Sequence, residues 1–356
     1  MSLSVLSVGY PLAPVSADAA GGSEQILSMM DRALVCRGHR SVVIACQGSS
    51  VAGTLLEAPL PKGELDHAVH RAAQELYRKL IRSALERWRF DLVHMHSLDF
   101  HTYLPPQGVP VLVTLHLPPD WYPESVYHLG RPDTWLNCVS KAQYRNCPPS
   151  PVLCEPIENG VPVERFPFTP RKRNFAFVLG RVCPEKGFHL ALDAARQAGV
   201  PAVIAGEVFR YRAHQEYFSR ELAPRLNGED RFIGPVGFFR KRLWLAAARC
   251  LLVPSLVPET SSLVSMEALA CGTPVIAFPS GALPDIVEHG RTGFLVNDAQ
   301  EMAEAIRNVD RIDPAECRRV AEQRFHAQRM IGEYLRRYES LASDQQTGRE
   351  AARLAG

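Results

Sequence analysis

The same rhythm runs twice along this chain, and it leaves few folds open. Short apolar segments alternate with longer amphipathic ones, first over residues 3–116 and again over residues 175–296. In the first round residues 3–8, 41–46 (SVVIAC), 91–96 (DLVHMH) and 110–116 (PVLVTLH) have the length and composition of strands, with further short pieces to about residue 157. Between them, Ile26, Leu27, Met30, Ala33 and Leu34 line one side of a helix that opens at Ser23 and stops at Gly38. A longer helix over residues 64–88 carries Leu65, Val69, Ala72, Ala73, Leu76, Leu80 and Leu85. In the second round, strands at 175–182, 200–208, 250–256, 274–279 and 292–296 alternate with helices at 186–199 and 240–249. Such alternation predicts a parallel sheet with right-handed crossovers. Each half therefore predicts a doubly wound α/β domain.

A chain of 356 residues is too long for one ordinary core, so two domains are expected. The stretch 158–174 (ENGVPVERFPFTPRKRN) breaks the rhythm with prolines and charge and predicts a linker. The expected domains are 1–165 and 166–324, with a last helix over 325–343 that could pack on either one. Two such domains facing across a cleft would bind a ligand at the carboxyl ends of their strands.

A net charge of +2 offers no reason to expect nucleic acid or an anionic membrane as the main partner. The nine cysteines form no CxxC pair, which favours a reduced, cytoplasmic protein over a disulfide framework. No stretch approaches the ~20 apolar residues needed to span a bilayer, so any membrane contact is expected to be peripheral. Arg71, Arg78, Lys79, Arg82, Arg87 and Arg89 could touch anionic lipid, but a solvated helix face is the plainer expectation.

The densest chemistry lies in PETSSLVSMEALACGTPVIAF, from Pro258 onward. Glu259 follows a predicted strand, Ser261 or Ser262 is a good N-cap, and a helix is expected over 263–270 with Gly272 as its stop. Glu267 then sits a little over one turn inside. The free N–H groups of Leu263, Val264 and their neighbours, with the helix dipole, form an anion site between the two glutamates. Carboxylates beside an anion make sense if they bind sugar hydroxyls, which suits a sugar nucleotide. On spacing alone, a solvent-facing Glu267 and a loop Glu259 are the commoner case. In LGRVCPEKG, Arg181 follows a strand and Lys186 opens the next helix, placing two cations where a diphosphate leaving group needs them. A plain surface turn also carries such pairs. Gly21-Gly22, after the first strand, lets the backbone approach a phosphate or sugar closely, although a lone pair of glycines often marks only a turn.

In combination and in this order, GRVCPEKG, PETSSLVSMEALACGTPVI and GALPDIVEHGRTGFLV resemble glycosyltransferase family 4, the retaining GT-B group of sugar-nucleotide-dependent enzymes. GGSEQ near the start, TLH at 114–116 and NGV at 159–161 extend the likeness over most of the chain. The resemblance implies a fold of two Rossmann-like domains and transfer of a sugar from a nucleotide-diphosphate donor to an unidentified acceptor. It implies that Arg181 and Lys186 hold the diphosphate, Glu259 the donor sugar and Glu267 the ribose. Gly22 would lie against the diphosphate across the cleft, and His116 would sit by the reacting sugar. The final helix would cross back to the N-terminal, acceptor-binding domain. No cofactor and no metal are expected, since a metal-binding DxD motif is neither implied nor well placed. Two departures stand out: Ser262 where the family commonly has Gly, and Pro162 where NGVD is usual.

Other features carry less. His94, His96 and His101 in HMHSLDFH could ligate a metal, but no cysteine or carboxylate completes a set, and a cleft-lining His96 fits better. PPDWYPESVY, after His116, suits either an acceptor site or a packed loop. A sugar-nucleotide-binding protein without activity remains the alternative reading. A nicotinamide dehydrogenase fits the α/β rhythm, but the first strand leads into no GxGxxG turn.

Overall fold

The computed structural model describes residues 2–61, 63 and 65–354, with side chains up to residue 343. The chain divides into two compact units, 1–158 with 330–356, and 159–329. Each holds one six-stranded, wholly parallel sheet.

In the first unit the strands are β1 (Ser4–Val8), β2 (Arg40–Cys46), β3 (Thr54–Ala58), β4 (Leu92–Met95), β5 (Val111–Leu115) and β6 (Thr134–Cys138), in the order β3-β2-β1-β4-β5-β6. The helices are α1 (Gly22–Cys36), α2 (His67–Arg87) and α3 (Lys141–Asn146). Both faces of β1, β2, β4 and β5 are covered, so these strands read as nearly continuous apolar runs. Glu64, the expected start of the long helix, lies outside the described residues. The helix begins at His67, where the Asp66 carboxylate accepts the Val69 N–H at 2.9 Å. Its Arg71, Arg78, Lys79, Arg82 and Arg87 are exposed, while Ala73, Tyr77, Ile81 and Ala84 face the core. No helix among the described residues is long and apolar enough to cross a membrane.

In the second unit the strands are β7 (Ala176–Leu179), β8 (Ala202–Ala205), β9 (Arg231–Phe232), β10 (Cys250–Val253), β11 (Val275–Ala277) and β12 (Gly293–Leu295), in the order β12-β11-β10-β7-β8-β9. The helices are α4 (Phe188–Ala198), α5 (Arg212–Tyr217), α6 (Phe238–Ala247), α7 (Leu263–Ala270), α8 (Leu283–Ile286), α9 (Ala299–Asn308) and α10 (Pro314–Arg324). Both sheets therefore reverse direction once, between β1 and β4 and between β7 and β10. Ligands bind open parallel sheets outside such a reversal, at the carboxyl ends of the strands.

The stretch 158–174 is not a free linker. The Val161 N–H donates to the Phe325 carbonyl at 2.8 Å, and the Ala327 N–H donates to Val161 at 2.9 Å. Lys172 donates to the carbonyls of Ala246 and Cys271, each at 3.0 Å, and so satisfies the ends of α6 and α7. These bonds draw 159–174 into the second unit and move the boundary to 158/159. The last helix, α11 (Ala327–Leu354), starts two residues later than expected, because Phe325 ends α10. Its Tyr334 and Tyr338 are fully buried in the first unit. Burying two aromatic side chains of this size is worth roughly 2–3 kcal/mol each.

Candidate active site

In the second unit, β7 and β10 are neighbours, so the loops that leave them start side by side. The loop after β7 carries Arg181 and then a single 3₁₀ turn, Pro184–Lys186. Lys186 ends that turn rather than opening the helix. Gly187 follows in the left-handed region at φ +61°, and α4 begins at Phe188. A Cβ on Gly187 would come within 2.2 Å of the Pro254 carbonyl oxygen. The Leu256 N–H donates to the Glu185 carbonyl at 2.8 Å. Glycine is required here on both counts, and the close approach clamps the Lys186 turn onto the β10 loop.

That clamp brings Lys186 to Glu259. The ammonium lies 2.5 Å from the carboxylate Oε1, and the Ser255 hydroxyl donates to the same oxygen. Burial pushes the Glu259 carboxyl up, but the Lys186 charge, the bonds from Lys186 and Ser255 and the more distant Arg181 outweigh it. The net effect holds Glu259 below the usual carboxylate range, as an anion. The backbone of Glu259 is fixed from the other side by Gly281. The Ala282 N–H donates to the Glu259 carbonyl at 2.7 Å, and a Cβ on Gly281 (φ +61°) would meet that carbonyl oxygen at 2.2 Å. Arg181 is half-buried, and its guanidinium makes no hydrogen bond or ion pair among the described residues.

Glu259 lies just ahead of α7, which spans the residues expected of it. Its N-cap differs from expectation. Ser262 holds the position, but its hydroxyl pairs with that of Ser265 at 2.8 Å and caps no backbone N–H. The first helical bond at this end runs from Met266 N–H to the Ser262 carbonyl, leaving the amides of Leu263 and Val264 outside the ladder. The Ser261 hydroxyl is buried without a partner. Glu267, one turn in, is 2% exposed rather than solvent-facing, and Lys241 of α6 lies 2.5 Å from its Oε1. Its Oε2 has no partner among the described residues. Burial holds the Glu267 carboxyl above its ordinary range, and Lys241 only partly offsets this.

Lys241 escaped the sequence argument because it sits in the basic run RKR. The available signal was its position four residues before Leu245, on the buried stripe of α6.

In the first unit His96 follows β4 and His116 follows β5, at the carboxyl edge of the sheet. The ring nitrogens of His96 and His94 belong to a hydrogen-bonded chain. His96 Nδ1 is 3.0 Å from His116 Nε2, and His96 Nε2 is 3.1 Å from His94 Nδ1. His94 Nδ1 also meets the Tyr338 hydroxyl at 2.6 Å, and its Nε2 meets Thr114 Oγ1 at 2.8 Å. Neutral rings that donate from Nε2 and accept at Nδ1 account for the His116–His96 and His94–Thr114 contacts, and leave the single lone pair of His94 Nδ1 shared between the His96 Nε2–H and the Tyr338 hydroxyl. Burial lowers all three histidines. The other rings lower His94 and His96 further.

The Gly21-Gly22 pair forms the N-cap and first residue of α1, where Gly21 has ordinary extended dihedrals. A Cβ on Gly21 would meet Glu24 Oε2 at 1.9 Å, so the missing side chain makes room for the Glu24 carboxylate. In the aromatic segment after His116, Tyr122 and Tyr127 are core residues, and Trp121 is exposed.

The histidine chain predicts a pH response. A histidine held neutral by the fold binds its proton more readily when unfolded. Stability of the first unit should therefore fall as pH drops below ~6.5, by about 1.4 kcal/mol per pH unit for each of His94 and His96. Urea unfolding between about pH 7.5 and 5.5, followed by Tyr334 and Tyr338 fluorescence or hydrogen exchange in β4, measures that slope. A flat profile contradicts the buried neutral chain.

Comparison with known proteins fits this arrangement. The family model for Glycosyl transferases group 1 matches residues 173–310, and that for Glycosyltransferase Family 4 matches residues 20–148. The chain belongs to glycosyltransferase family 4. A D-inositol 3-phosphate glycosyltransferase of Kribbella flavida is 40% identical over 133 residues, which are 34% of this chain and 31% of that protein. The chain spans less than half the length of this and similar inositol-phosphate glycosyltransferases. The crystal structure of AviGT4, a glycosyltransferase involved in avilamycin A biosynthesis, aligns at 23% identity with a TM-score of 0.70, covering 96% of this chain and 98% of that one. Anabaena HepE, solved with UDP and glucose, aligns at 18% identity with a TM-score of 0.73, covering 95% and 100%. The family 4 chain thus has the GT-B class of fold, with two Rossmann-like α/β units.

Proposed function

We propose that this family 4 chain is a retaining glycosyltransferase that moves a sugar from a nucleoside diphosphate sugar to a hydroxyl-bearing acceptor. The observation that carries the proposal is the Lys186–Glu259 ion pair, set beside Arg181, unpaired among the described residues, and the uncapped start of α7 at the sheet reversal. In the reaction the bond from the anomeric carbon to the diphosphate oxygen breaks, and a bond from the acceptor oxygen forms on the same face. The acceptor proton passes to a diphosphate oxygen, so no protein base is needed. Negative charge grows on the departing diphosphate, where Arg181, Lys186 and the amides of Leu263 and Val264 are suited to take it up. Lys186 spends one of its three N–H donors on Glu259 and keeps two for phosphate oxygens. The unpartnered Oε2 of Glu267 suits a ribose hydroxyl, and Ser261 offers a further hydroxyl beside the diphosphate amides. Glu259 would face the donor sugar. Gly21, Gly22 and His116 of the first unit keep the roles the resemblance gives them, as does the retaining outcome. The second unit is assigned to the donor and the first to the acceptor. No cofactor is required beyond the sugar nucleotide.

Because Anabaena HepE was solved with UDP and glucose, UDP-sugars lead the test panel, followed by GDP- and dTDP-sugars. A true donor at 100 times its Kd should stabilise the fold by about 2.7 kcal/mol and raise the melting temperature. Release of the free nucleotide should follow when acceptors are added. No shift with any sugar nucleotide defeats the proposal. Binding without transfer or donor hydrolysis would reduce the chain to a binding protein.

A further inference from the structure

Beside the cations of the donor loop lies a cluster that neither the fold nor the transfer chemistry uses. Cys183 precedes the turn Pro184–Lys186, Glu185 lies in it, and His214 sits on α5, which packs against that turn. One ligand atom from each residue lies within 4.8 Å of the other two. Cys183 is buried, whereas Glu185 and His214 are half-buried, so an ion has a way in. His214 Nδ1 is buried and finds no hydrogen-bond partner among the described residues. The Cys183 thiol donates a long bond, 3.6 Å, to the Arg181 carbonyl and also interacts with the Glu185 carboxylate, which already draws the two ligand groups together.

The three donor types agree on one ligand. Thiolate, imidazole and carboxylate are the set that zinc takes in tetrahedral geometry, with bonds of about 2.0–2.3 Å. A thiolate and a carboxylate supply two negative charges that balance the two positive charges of the ion, so the filled site adds no net charge beside Arg181 and Lys186. Burial, with the Arg181 charge added, lowers His214 and keeps its ring neutral, as a ligand must be. Burial raises the Cys183 thiol to about 11, so a metal must displace its proton.

We propose that Cys183, Glu185 and His214 bind a zinc-class divalent cation, with a fourth position left to water. On binding, the Cys183 S–H bond breaks, its proton goes to solvent and a sulfur–metal bond forms, while Glu185 and His214 bind as they stand. Since Cys183 lies between Arg181 and Lys186 in sequence, the ion would tie their turn to α5. That consequence for the donor rests on the function proposed above; the metal site itself does not.

The test uses the full chain, stripped with a chelator and titrated with Co²⁺, then with Zn²⁺ in competition. A thiolate-to-cobalt charge-transfer band and tetrahedral visible bands should appear, and Zn²⁺ should abolish them. Cys183→Ser should remove the charge-transfer band. Glu185→Gln and His214→Gln should weaken binding by at least the ~100-fold that loss of even an outer-shell partner can cost. His214 is half-buried, so its variant carries the test even if Cys183→Ser fails to fold. Absence of the band, or unchanged Co²⁺ affinity in His214→Gln, overturns the site. A sugar-nucleotide melting shift in the metal-free chain reads the donor site separately: a shift without a band sinks only the metal site, and a band without any shift sinks only the donor assignment.

Discussion

Lys186→Met should lower glycosyl transfer by about 10²–10³-fold, the loss seen when one preorganised donor is removed from a site of developing charge. The methionine keeps the apolar stem of the lysine and deletes only its charge. Two separate losses follow. The diphosphate loses a cation in the transition state, and Glu259 loses the ammonium 2.5 Å from its Oε1. Glu259 is only 9% exposed, so the second loss alone should destabilise the second unit. Adding Glu259→Gln separates the two effects. The double variant has no unpaired buried charge and should regain most of the melting temperature. If Lys186 acts on the leaving group, activity stays low in the double variant. If Lys186 only holds Glu259 in place, activity should return toward that of Glu259→Gln alone. Near-normal transfer by Lys186→Met, with donor and acceptor saturating, would remove Lys186 from the chemistry altogether.

Why these residues could be found from sequence, and others not, follows from where each one sits. Arg181 and Glu259 come directly after apolar strands, and a doubly wound sheet places every such loop on one edge. The pattern alone therefore brought them together. The helix over 263–270 was legible from end to end because Gly272, at φ +69°, stops it where only glycine is comfortable. The short strand β3 was missed, and β6 lies where only unplaced short pieces, up to about residue 157, were expected. TLLEA and TWLNC mix polar and apolar residues, and their pairing comes from neighbours that no local window contains. The same reason hid the histidine chain. The sequence favours a cleft-lining His96 over a metal pair, and neither reading foresees that Tyr338, more than two hundred residues away, bonds His94. The linker at 158–174 failed in the opposite sense. Its prolines and charges are real, but Lys172 and Val161 use them to close helix ends and to pair with Phe325 and Ala327. Ser262 was a good cap by type, yet a second serine three residues on offered its hydroxyl another partner.

Lys241→Met should destabilise the second unit by about 3–5 kcal/mol, the usual cost of stranding one member of a buried ion pair. For a unit of this size that is a fall on the order of 10 °C in its calorimetric transition. Lys241 and Glu267 have side chains only 7% and 3% exposed, so water cannot replace the lost partner. The sign of the pH dependence identifies the cause. Burial already holds the Glu267 carboxyl above its ordinary range with Lys241 present, and removing Lys241 pushes it higher. An acid whose folded value is raised loses stability as pH rises past its unfolded value. The variant should therefore recover as pH is lowered and Glu267 takes up a proton, by up to about 1.4 kcal/mol per pH unit. Lys241→Met with Glu267→Leu should recover most of the loss at neutral pH, because a buried pair replaced by apolar groups of similar volume is often neutral or better. That double variant would still lack the carboxylate offered to the ribose. It should fold well and bind sugar nucleotide poorly, whereas a purely structural pair predicts a normal melting shift with the donor. A single variant that melts like the parent at every pH would show that Glu267 finds another partner, and the charge would then have no place in the core of α6 and α7.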